Sequence, residues 1–100
     1  MRGGNGSVTI RHYFDKADFK ANMRLCAHMT LPPESSIGLH AHETEDEVYI
    51  VLRGTGILDD TRTRTRVNSG DAILTGRGES HSIRNDGNEN MEIIAMIMCY

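Results

Sequence analysis

The chain has only two cysteines, Cys26 and Cys99, in 100 residues. Two are too few for a disulfide framework, and both are read as packing residues in a chain expected to sit in the reducing cytoplasm. No block of lysine or arginine stands beside aromatic residues, and the formal net charge is −3. A phosphate backbone is therefore not an expected partner, and nucleic acid drops out of the reading. No apolar run approaches the roughly 18 to 20 residues of a spanning helix, which argues against a membrane segment. Met1 leads into a Gly-rich stretch rather than an apolar signal core, so export is not expected either. Helix is scarce too. Only residues 15–21 have helical character, too short and too weakly amphipathic for more than one turn.

What the chain does have is alternation of apolar and polar residues. Val8 and Ile10 open a first short strand, and strand-like runs follow at residues 23–31, 37–42, 47–54, 55–60, 62–67, 71–76, 81–85 and 91–100. Turn residues separate them: Pro32 with Pro33, Gly54 and Gly56, Asp59 and Asp60, Ser69-Gly70-Asp71, Gly76 with Gly78, and Asn85-Asp86-Gly87. Many short strands without crossover helices predict an all-β fold, a sandwich or small antiparallel barrel. One domain over residues 1–100 is expected, with residues 1–6 a flexible Gly-rich start. A chain this short buries only about 60 to 65% of its unfolded surface. In the run from Glu47 onward, Tyr49 and Val51 fall on the face of Glu47, while Val48, Ile50 and Leu52 fall on the other. A strand apolar on both faces suits a barrel packed on a second copy, so a homodimer is expected.

The chemistry is concentrated in His40, His42, Glu47 and His81. Positions i and i+2 of a strand share one face, so His40 and His42 can close on one ion. A turn through the polar residues 43–46 could return the Glu47 carboxylate beside them, and His81 would complete the set. Glu43, Glu45 and Asp46 are read as solvated turn carboxylates; a register slip could substitute Glu45 or Asp46 for Glu47, and parity decides against Asp46. Three imidazoles and a carboxylate suit one divalent transition metal, Mn, Fe, Ni, Co or Zn. Six-coordination would leave two positions for water, O2 or a chelating substrate. His12 and His28 are expected to be hydrogen-bonded core residues.

These residues resemble the cupin family. Its first motif, a leading glycine, H-x-H, three or four residues, a glutamate, six residues and a glycine, is matched by His40, His42, Glu47 and Gly54. Its second is matched by Gly70, Gly78, His81 and Asn85. Gly76 stands where the family has proline, which should loosen the turn before His81, and Glu34 falls near the place of the leading glycine. The resemblance implies a small antiparallel β-barrel of the double-stranded β-helix, jelly-roll-like kind. It also implies ligands His40, His42, Glu47 and His81 around one divalent ion inside that barrel. It does not give a reaction.

The expected function is a metalloenzyme of dioxygenase, decarboxylase or isomerase type acting on a small oxygen-rich metabolite. The alternative is a non-catalytic module that binds or senses a sugar or organic acid. Tyr49, Val51 and Ile83 are the candidate substrate pocket, and Tyr49 is the candidate proton donor. Arg62, Arg64 and Arg66 alternate with threonines and are read as a solvated strand edge, with an anion site as the other reading. Met91, Met96 and Met98 are read as core or interface filler.

Overall fold

The computed structural model describes the backbone of residue 4 and of residues 6–100, and their side chains except those of residues 39, 40 and 42. The expectation for the Gly-rich start therefore lies in large part outside the described residues. Among the described residues nine strands follow in order: β1 Thr9–His12, β2 Met23–Leu31, β3 Ser36–His42, β4 Glu45–Arg53, β5 Thr55–Asp59, β6 Arg64–Asn68, β7 Ala72–Thr75, β8 Glu79–Arg84 and β9 Met91–Cys99. A single 3-10 turn, Lys16–Asp18, is what the short helical stretch becomes. The strands form two antiparallel sheets, ordered β1-β2-β9-β4-β7 and β3-β8-β5-β6. The all-β, jelly-roll-like barrel is thus the observed fold. Among the described residues no helix is long and apolar enough to cross a membrane.

Alternation explains why the sheets face each other. Ala27, Met29 and Leu31 of β2, Tyr49 and Val51 of β4, and Met91, Ile93, Ala95 and Ile97 of β9 are buried, while their neighbours in sequence are less so. From the opposite sheet Ile37, Val67 and Ile83 join Met29, Leu31, Tyr49, Val51, Met91, Ile93 and Ala95 in one core. Each such aliphatic side chain contributes about 1.5–3 kcal/mol by leaving water. Gly54 makes the turn from β4 to β5 at φ 86, where a Cβ would press on the backbone of Asn90 and Met91.

Several strand boundaries differ from the periodicity, β8 for instance beginning at Glu79, and two of the differences have a local reason in side-chain bonds. β4 begins at Glu45, because Glu45 pairs with Cys99 across the ladder and its carboxylate takes two hydrogen bonds from Arg24, at 2.6 and 2.7 Å. Glu45 and Asp46 are therefore strand residues and not solvated turn carboxylates; Asp46 accepts a hydrogen bond from the Tyr100 hydroxyl at 2.9 Å. β6 begins at Arg64 instead of Arg62. The Asp59 carboxylate accepts from the Thr61 amide, and the Asp60 carboxylate from the amides of Arg62 and Thr63, which holds those residues in a turn. His12 lies exposed on β1, contrary to the core reading, whereas His28 is half-buried and 3.0 Å from Glu92. Arg64 and Arg66 are exposed on β6, an outer strand of its sheet, Arg64 against Asp59 and Arg66 in a two-bond pair with Asp86.

The outer face of the larger sheet carries an apolar patch among polar residues such as His28, Thr30, Asp46 and Glu92. Register sets Cys26, Met96, Val48 and Leu74 in one row across β2, β9, β4 and β7, and His28, Ile94, Ile50 and Ala72 in the next. Leu74 is 67% exposed and Leu52 44%.

Candidate metal centre

Three strands, β3, β4 and β8, carry the candidate ligands. On β4, Glu47 stands opposite Thr75 of β7 on one side and Ile97 of β9 on the other. On the facing sheet, position 40 of β3 stands opposite His81 of β8, next to a register shift between Ile37 and His40. The side chains of His40 and His42 lie outside the described residues.

Glu47 and His81 are buried, 3% and 1% exposed. His81 Nε2 lies 2.8 Å from Glu47 Oε1, and its Nδ1 lies 2.8 Å from the Thr75 hydroxyl. The Tyr49 ring stacks on the imidazole, with centroids 5.0 Å apart and planes 13° from parallel. The ring is thus held at both nitrogens and on a face. A neutral imidazole opposite a carboxylate places its proton on Nε2, and Nδ1 then accepts from Thr75. Were His81 to hold a cation through Nε2, its ring proton would sit on Nδ1 and be donated to Thr75. A threonine hydroxyl serves both arrangements, since it donates and accepts.

Nitrogen and oxygen donors at about 2.1 Å from one ion and at right angles stand about 3 Å apart. The Nε2 to Oε1 separation of 2.8 Å is of that size. An imidazole whose other nitrogen is engaged by an oxygen is also the usual surrounding of a metal-bound histidine. Glu47 and His81 therefore fit a divalent ion as two of its ligands. Among the described residues no group of three histidines, cysteines or carboxylates converges. Glu45, the carboxylate a two-residue slip would bring in, is engaged by Arg24; that bond is the main reason the Arg24 guanidinium titrates above its ordinary range.

The candidate pocket residues Tyr49, Val51 and Ile83 all belong to the packed core, with Tyr49 against His81. Thr75 was missing from the sequence reading. Its signal was there: the alternation of residues 71–76 puts it on the face of Ile73, and Ile73 pairs with Tyr49.

The residues matched to the motifs show why those residue types stand there. Gly70 and Gly78 are left-handed, at φ 95 and 80. Glu34, near the place of the leading glycine, is left-handed too, at φ 67, and its carboxylate holds Arg84 at 2.7 Å. Asn85 is buried, donating to the carbonyls of Leu31 and Glu89 and accepting from the Gly87 amide. Gly76 replaces the proline without leaving its turn unsupported. The Gly76 amide donates to Glu79 Oε1 at 3.1 Å, which proline could not do, and a Cβ on Gly76 would collide with the Asp46 carboxylate.

A cupin-domain family model matches residues 27–97. The chain is similar to an oxalate-binding protein of Thermotoga maritima, 45% identical over 98 residues that cover 98% of this chain and 81% of that one. It is also similar to an uncharacterized protein of Methanocaldococcus jannaschii, 30% identical over 90 residues, 90% of this chain and 71% of the other. A crystal structure described as a predicted oxalate decarboxylase from Thermotoga maritima superposes with a TM-score of 0.96 at 44% identity, covering 100% of this chain and 87% of that chain. A Thermus thermophilus structure superposes with a TM-score of 0.80 at 19% identity, covering 93% and 84%, a likeness of fold alone.

Proposed function

The chain belongs to the cupin family, and from that premise we propose that it binds one divalent transition metal and, through it, a small dicarboxylate such as oxalate. The observation that carries the reading is the buried pair of Glu47 and His81, 2.8 Å apart, with the second imidazole nitrogen engaged by Thr75. His40 and His42 are proposed as the remaining ligands. Support comes from the pairing of position 40 with position 81, because directly opposed residues of an antiparallel ladder share a face. A divalent ion held there supplies Lewis acidity and a chelation point for two carboxylate oxygens.

The chain's own residues supply the surroundings. Glu47 offsets the charge of the ion, Thr75 orients the His81 ring, and the Tyr49 ring excludes water from one of its faces. Binding without turnover is favoured over the decarboxylase, oxygenase or isomerase readings by the lack of a partner acid. Among the described residues Glu47 is the one buried carboxylate, and it is committed to the ligand set. Turnover remains the second reading because of the likeness to a predicted oxalate decarboxylase. It would convert hydrogen oxalate to formate and carbon dioxide, with Tyr49 as the candidate proton donor.

Calorimetric titration of oxalate into metal-loaded and EDTA-treated protein, with formate assayed in parallel, tests both. Metal-dependent oxalate binding without formate supports the binding reading; formate production replaces it with turnover, and no metal-dependent binding overturns both. One domain over residues 1–100, a homodimer formed through the row of Cys26, Met96, Val48 and Leu74, and a cytoplasmic location belong to the same proposal. The apolar patch on the outer sheet face supports the dimer, and the two free thiols support a reducing compartment.

A further inference from the structure

A cleft of about 450 Å³ opens between the β5–β6 turn and the β7–β8 turn. Its lining includes Leu58 and Ile73, both packed against the core, and Thr75, whose hydroxyl meets His81. The cleft therefore runs along the β7 edge beside Thr75, the residue whose hydroxyl meets His81. Arg62 and Arg77 line it from the two turns.

These two cations differ from the others on the same strands and turns. Arg64 and Arg66 are spent on Asp59 and Asp86. The guanidinium groups of Arg62 and Arg77 have no acceptor among the described residues. The cleft also holds two carboxylates, and both are already engaged. Asp60 accepts from the amides of Thr63 and Arg62, bonds that hold its carboxyl below the ordinary range, and Glu79 accepts from the Gly76 amide.

The backbone around the cleft is strained where it presents the arginines. Thr61 lies at φ 76, an outlying conformation for a β-branched residue, next to Arg62. Arg77 itself lies at φ 53, followed by Gly78 at φ 80, and the Glu79 amide closes the turn on the Gly76 carbonyl at 3.0 Å. That is a two-residue turn between the two sheets with both central residues left-handed, as in type I′, and asparagine or glycine would fit the Arg77 position at lower cost. Strain of this kind persists where surrounding structure enforces it, and it is concentrated at functional sites.

We infer that Arg62 and Arg77 form an anion-binding entry subsite that captures a small dicarboxylate at the cleft and delivers it toward Thr75 and the Glu47–His81 centre. The inference rests on the dicarboxylate reading above and deepens it. Two guanidinium groups without a hydrogen-bond acceptor, Arg62 with Asp60 as a charged neighbour only, favour a dianion over a monoanion, and an exposed pair of cations makes capture sensitive to salt.

The test titrates sodium oxalate, and sodium acetate at matched ionic strength, into the EDTA-treated full chain, with backbone amide shifts recorded by NMR. Oxalate should shift the amides of residues 60–63 and 75–79, saturably and less so in high salt, and acetate should not. In the Arg62→Gln/Arg77→Asn double variant those shifts should vanish. Asparagine tolerates the left-handed turn, so the fold is kept. In metal-loaded protein each substitution should weaken oxalate binding about tenfold, the scale of one charged hydrogen bond, with bound metal unchanged. Shifts that are absent from both turns, or that persist in the double variant, overturn the subsite. A chain that takes up no metal but still gives the arginine-dependent shifts overturns the metal reading and leaves the subsite standing.

Discussion

Replacing Thr75 with valine removes one hydroxyl and almost nothing else, since valine keeps the β-branch and the volume. Thr75 is 6% exposed and its hydroxyl is 2.8 Å from Nδ1 of His81, itself 1% exposed. The substitution therefore leaves a buried ring nitrogen without its partner, a loss of about 1–3 kcal/mol. For a domain of this size each kcal/mol lowers the melting temperature by about 4–8 °C, so Thr75→Val should melt at least about 4 °C below the parent in EDTA. The second consequence concerns the ion. With Nδ1 unanchored, the imidazole no longer holds Nε2 toward Glu47, and divalent-metal affinity should fall about 10- to 100-fold. Thermal melts followed by circular dichroism and calorimetric titration with manganese measure the two effects, and Thr75→Ser, which restores the hydroxyl, should recover most of the metal affinity. A valine variant that melts and binds metal like the parent would refute the assignment of Thr75 as the residue that positions His81.

Restoring bulk at Gly76 should harm the protein. Gly76→Ala puts a Cβ into the Asp46 carboxylate and should cost about 1–3 kcal/mol in a urea titration; an unchanged midpoint would contradict the close approach. Leu74→Lys, on the exposed apolar face, should turn a dimer into a monomer by light scattering without unfolding it, whereas a parent chain that is already monomeric contradicts the dimer. Hydrogen bonds from Arg66 hold the Asp86 carboxyl below its ordinary range. The unfolded chain therefore binds more protons than the folded one, and this stabilisation, complete above the ordinary carboxylate range, is lost as pH falls through the folded value. Asp86→Asn should consequently lower the urea midpoint slightly at pH 7, and the gap should close in acid. A gap that stays constant with pH would show that the ion pair is not its source.

Most of the architecture was legible because period-two alternation survives translation into a half-buried strand; the run from Met23 to Leu31 is β2 to the residue. What the pattern missed was decided across long separations. Nothing near Glu45 announces Arg24, and the strand start depends on that bond. The Arg62, Arg64 and Arg66 stripe read as one strand, yet side-chain capping by Asp59 and Asp60 bends its first part into a turn. Glu47 and His81 could be paired from spacing and resemblance. Thr75 falls inside the strand-like run 71–76, but alternation there shows only the face it takes, and its place beside His81 follows from the register that sets it opposite Glu47. The departure at Gly76 looked like a loosened turn and is instead a site where an amide hydrogen and the space of a missing Cβ are both used.

The central claim is that side chains from β3, β4 and β8 hold one divalent ion, and its most direct test is elemental analysis by plasma mass spectrometry. Protein purified without added metal should carry one divalent transition ion per chain, and His81→Ala should lose it while keeping its β-sheet circular dichroism. A parent chain that stays empty after incubation with manganese, iron, nickel, cobalt and zinc, or a His81→Ala chain that retains a full complement, would contradict the account.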